Sequence, residues 1–102
     1  MPNGHDKNFR RLLMTCAAYR GKFGEWPTQV RMYPAAIYDL AHIFSPEDFE
    51  KLGNAFEIRV IDDIDFSAGG RGVFRYSDYD HSFENDELIQ LAEKWLGVRP
   101  RH

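Results

Sequence analysis

Residues 56–76 read FEIRVIDDIDFSAGGRGVFRY, and the way this stretch divides decides the fold. From Phe56 to Ile61 the side chains alternate, with Phe56, Ile58 and Val60 on one side and Glu57, Arg59 and Ile61 on the other. That is the period of a strand with one buried face. Gly72 to Tyr76 reads as another strand, with Val73 and Phe74 apolar. Asp62 to Arg71 is rich in Asp and Gly, residues that turns select, and reads as a loop. On this division the two strands pair antiparallel across the loop.

Working backward, Ser45-Pro46-Glu47-Asp48 starts a helix: Ser45 caps it, Pro46 takes the first position, and two acids meet the positive end of its dipole. Phe49 and Leu52 face inward, and Gly53-Asn54 is expected to close it. A preceding helix begins at Pro34 and carries Ala36, Ile37, Leu40, Ala41 and Phe44 to about residue 44. Thr28 to Met32 alternates as a short strand, Val30 and Met32 against Gln29 and Arg31. The two helices form a crossover long enough to join parallel strands. A first helix over residues 6–20 is predicted from Phe9, Leu12, Leu13, Cys16, Ala17 and Tyr19, with Gly21 as its stop. Forward of the quoted stretch, residues 77–85 are polar and turn-like. A last helix from residue 85 or 86 carries Leu88, Ile89, Leu91, Ala92, Trp95 and Leu96 to Gly97.

The expected order is therefore α-β-α-α-β-β-α: an α/β (α+β) domain with a small three-stranded mixed sheet packed against helices. At 102 residues the chain has room for one core, so 1–102 is read as a single domain, with 1–5 and 98–102 as flexible ends. Fifteen percent aromatics supply that core and argue against disorder. The lone Cys16 excludes an internal disulfide and a multi-thiolate zinc site, and its apolar neighbours suggest an inert buried thiol. Nothing approaches the ~18 consecutive apolar residues of a membrane span, and no signal-like segment opens the chain. The expected location is the cytoplasm, without membrane association.

The net charge of −3 is unevenly spread. Residues 1–32 hold six basic and two acidic side chains, a net of +4; residues 33–98 hold five basic and fourteen acidic, a net of −9. Such a split marks a partner surface, or else a basic helix that complements an acidic body.

Chemistry concentrates in the quoted stretch. Asp62, Asp63 and Asp65 leave a strand together, an arrangement able to hold Mg²⁺ or Mn²⁺. Gly69 and Gly70 offer backbone N–H groups to an anion, and Arg71 adds charge. His81, flanked by acids, is a candidate proton-transfer group. These residues define one reading: a small metal-dependent enzyme acting on a phosphate ester or nucleic acid. The plain alternative is a solvated turn.

No nucleophile elbow, P-loop, dinucleotide fingerprint or metal-spaced histidine pair is present. The leading expectation is a non-catalytic protein-interaction or regulatory module without a cofactor. Its partner is another protein or a second copy, engaged through Arg10, Arg11, Phe23 and Trp26. Nucleic-acid binding, with Tyr76, Tyr79 and Phe83 stacking on bases and Arg10, Arg11, Arg20 and Lys22 on phosphates, is weighed against the acidic pI of about 5.7.

Overall fold

The apolar stripe of the first thirty residues forms α1 (Asp6–Phe23) in the computed structural model, which describes residues 6–61, 66–78 and 86–99. Phe9, Leu12, Leu13, Cys16 and Ala17 are buried along it. The helix runs three residues past the expected end and stops at Gly24, whose positive φ of 78° and N–H bond to Arg20 O (2.8 Å) make a left-handed cap. Strand β1 (Gln29–Met32) follows, with Val30 and Met32 fully buried and Arg31 exposed.

The crossover consists of α2 (Pro34–Ile43) and α3 (Pro46–Ala55). Ser45 Oγ accepts the N–H of Asp48 at 3.2 Å, the cap anticipated from the sequence. Ala41 is exposed and Ile43 buried, a small rotation of the expected stripe. Gly53 does not end α3, which continues to Ala55. The crossover delivers β2 (Glu57–Val60), parallel to β1, with Val30 opposite Ile58 and Arg31 opposite Arg59.

The remaining topology corrects the expectation. The sheet has four strands, because Ser67–Gly69, read as loop, forms β3. Strand β4 (Val73–Arg75) pairs with β3 rather than with β2, and the spatial order is β2-β1-β3-β4. The two strands expected to be neighbours are the opposite edges of the sheet. Among the described residues the element order is α-β-α-α-β-β-β-α, with a 3₁₀ turn (Tyr76–Asp78) before α4 (Asp86–Leu96).

Small side chains make β3 possible and hide it. Ala68 is fully buried beside Ala18, Tyr19 and Phe74, so α1 lies close over the sheet there. A Cβ on Gly69 would stand 3.1 Å from Gln29 Cγ. The β3–β4 hairpin turns through Gly70-Arg71-Gly72, held by Gly70 N–H to Gly72 O at 3.0 Å. Local β-propensity is poor here; neighbours on both sides supply the strand's stability.

Helix α4 buries Ile89, Ala92 and Leu96 and leaves Leu91 48% exposed. It lies against α1, where a Cβ on Gly21 would sit 3.2 Å from Leu88 Cδ1. That glycine therefore serves helix packing, and the stop falls to Gly24. Val98 is buried and Arg99 N–H reaches Asp48 Oδ2 (3.4 Å), so packed chain continues through residue 99. Among the described residues no helix is long and apolar enough to cross a membrane.

Candidate functional site

Strand alternation gives the sheet two unlike faces. The face towards the helices carries Ile58, Val30, Ala68 and Phe74 in one cross-strand row. Three of these are essentially sealed from solvent and Ile58 is half-buried. Each next residue points the other way, so the register produces a second row: Arg59, Arg31, Ser67 and Arg75. All three arginines are exposed, while Ser67 sits low between them at 7%. Among the described residues the helices pack on one side of the sheet and none lies over the exposed arginines on the other, as in many sheets containing antiparallel pairs.

The charges in this row are not balanced. Arg59 Nε meets Glu57 Oε1 at 3.0 Å on the same strand. Among the described residues, Arg31 and Arg75 have no carboxylate partner. Arg31 also stands directly opposite Arg59, about 4.8 Å away at the strand spacing. Like charges so placed destabilise a sheet. The neighbouring row on this face is Glu57, Gln29, Gly69 and Val73; Gln29 lays its side chain over Gly69, and its buried Oε1 has no hydrogen-bond partner among the described residues.

The residues singled out from the sequence are only partly within the described residues. Asp62, Asp63, Asp65 and His81 lie outside the described residues. So do Tyr79 and Phe83. Among the described residues, no three His, Cys, Asp or Glu side chains gather as a metal site requires. Two amides of the glycine loop are engaged within the fold: Gly70 N–H binds Gly72 O, and Gly72 N–H binds Tyr19 Oη at 3.3 Å. Arg71 meets Glu25 at 3.4 Å.

Of the four residues expected to meet a partner, only Arg10 is both exposed and uncommitted among the described contacts. Arg11 donates to Tyr33 Oη (3.4 Å) and lies over the Tyr76 ring. Phe23 packs on Tyr19, ring centroids 4.6 Å apart, under Gly72. Trp26 stacks on Trp95 (4.6 Å, 5° between planes), and the Arg20 guanidinium lies 5.2 Å from its ring centroid. Arg10 and Phe23 are about 20 Å apart along α1, so the set does not form one patch.

Two other features are structural or shallow. Asn8, buried, donates to Asp39 Oδ2 (2.8 Å) and accepts from Tyr33 Oη (3.3 Å), tying α1 to α2 with its polar groups satisfied. A cleft of about 510 Å³ between α3 and the end of α4 mixes Asp48 and Glu93 with Lys94 and Arg99. Neither concentrates one charge sign as the open face does. Burial pushes the Cys16 thiol far up from its ordinary pKa, which leaves it protonated and inert.

Sequence reasoning missed Arg31, Arg59 and Arg75 as a group. Their outward positions were readable from alternation, but the row exists only once β3 is inserted between β1 and β4.

Comparison with protein-family models, curated proteins and solved structures finds no match to this chain.

Proposed function

We propose that the protein is a non-catalytic interaction module that docks a protein partner on the open face of its sheet. The observation carrying this reading is the row Arg59-Arg31-Ser67-Arg75, three exposed cations on an otherwise acidic chain, two of them without a carboxylate among the described residues. A flat face of this kind suits contact with another surface, whereas small-molecule sites are concave and largely apolar. Arg31 and Arg75 have no compensating carboxylate among the described residues, and an anionic partner supplies one.

Size limits the strength. The row spans about 14 Å across the strands and the strands run about 10–13 Å, far below the ~800 Å² per partner of a standard stable complex. Binding is therefore transient, with charge acting mainly on encounter rate and orientation.

The test is cross-linking in the cells that make the protein, followed by recovery under denaturing washes. Wild type is compared with Arg31→Glu/Arg75→Glu, first matched for circular dichroism and melting temperature. Partners recovered with wild type should disappear with the variant. An identical set from both would remove the face from consideration.

A further inference from the structure

Resting on the docking role proposed for this face, we infer that its occupant is an extended acidic segment of another protein, lying across the strands with carboxylates on alternate residues. The spacing of the row leads to this. Arg59 to Arg31 is one inter-strand step and Arg31 to Arg75 is two, so the three cations span about 14 Å. Alternate side chains of an extended peptide recur about every 6.8 Å on one side. Acids at i, i+2 and i+4 therefore cover nearly the same length, and the flexible arginine stems absorb the difference.

The chemistry of the row agrees. All three cations are arginines, whose planar forks bind carboxylates through two parallel hydrogen bonds. Ser67 between them is a small residue, so no bulky side chain stands in the middle of the row.

Two rival occupants fit less well. A second copy docked symmetrically would set this arginine row against itself, since a two-fold interface uses the same patch on both sides. Single-stranded nucleic acid needs aromatic platforms for its bases. No outward residue of the four strands is aromatic: Phe66 and Phe74 are buried, and Tyr76 packs against the core beside Arg11.

The experiment is fluorescence anisotropy of a labelled (Glu-Thr)₅ peptide titrated with the full chain at ~50 mM salt. Saturable binding is expected, weakening several-fold at ~300 mM because exposed pairs are screened. Arg31→Gln/Arg75→Gln should weaken it about four- to twenty-five-fold, at roughly two- to fivefold per exposed pair. Lys51→Gln, on α3, should leave it unchanged. Melting temperatures verify that each variant is folded, and the salt dependence is read on wild type alone. Absence of saturable binding up to ~1 mM, indifference to the double variant, or tighter binding of a 12-mer oligothymidylate would each overturn the inference. If the peptide fails while cross-linked partners still depend on Arg31 and Arg75, only the acidic occupant is lost. If both fail, the docking face is lost as well.

Discussion

Replacing Arg31 by Thr should make the protein more stable. Arg31 faces Arg59 across the β1–β2 pair, and no carboxylate among the described residues offsets it. Two unit charges held at the ~5 Å strand spacing would repel in water by at most about 0.8 kcal/mol, and Glu57 beside Arg59 removes part of that. Thr adds a few tenths through its fit to a half-exposed strand. The expected gain is about 0.5–1 kcal/mol, or about 2–8 °C in Tm for a domain of this length. Thermal unfolding followed by circular dichroism at ~20 mM and ~1 M NaCl measures it. At the higher salt, where screening acts over about 3 Å, the gain should shrink to the propensity contribution. Arg59→Thr, which also breaks the Glu57 pair, should be close to neutral. A loss of more than about 1 kcal/mol for Arg31→Thr at both salt concentrations would refute the reasoning, since Arg31 would then be bonded into the fold. A stabilising change that weakens binding is the pattern expected where function maintains a locally unfavourable residue.

Other expectations follow from single contacts. Gly70→Ala would place a Cβ 2.6 Å from the buried Tyr19 hydroxyl, and should cost about 1–3 kcal/mol in chemical denaturation. Gly53→Ala, with nothing within 4 Å inside α3, should instead stabilise by about 0.5–1 kcal/mol in the same assay. Asn8→Ala removes both the donor to Asp39 and the acceptor of Tyr33 at a buried position, and should cost about 1–3 kcal/mol. Cys16 should resist iodoacetamide in the native state and react fully in denaturant, followed by mass spectrometry. Because the folded state keeps that proton where the unfolded chain loses it, this group's contribution is intact below about pH 8.5 and declines as pH rises above it. A pH series of unfolding curves checks the sign.

The elements with strong periodicity were legible in the sequence. Val30 and Met32 marked β1, Ser45 and Pro46 marked the start of α3, and the length of the crossover implied the parallel β1–β2 pair. Ser67-Ala68-Gly69 was not legible, because its residues have little strand preference of their own and pair only because β1 and β4 flank them. That one omission misplaced β4 and concealed the arginine row. Glycine was similarly ambiguous: Gly21 and Gly24 look alike in sequence, yet one admits the Leu88 side chain and the other adopts the left-handed cap. Aromatic residues expected at a partner surface, Phe23 and Trp26, were drawn into the fold by Gly72 and Trp95, contacts distant in the chain.

The most direct test of a binding face on the open side of the sheet is an amide-resolved NMR titration of the ¹⁵N-labelled protein with the (Glu-Thr)₅ peptide. Shifts should concentrate at Arg31, Arg59, Ser67 and Arg75 and their strand neighbours, with α3 and α4 unmoved. Perturbations confined to the helical side, or none at millimolar peptide, would contradict the account.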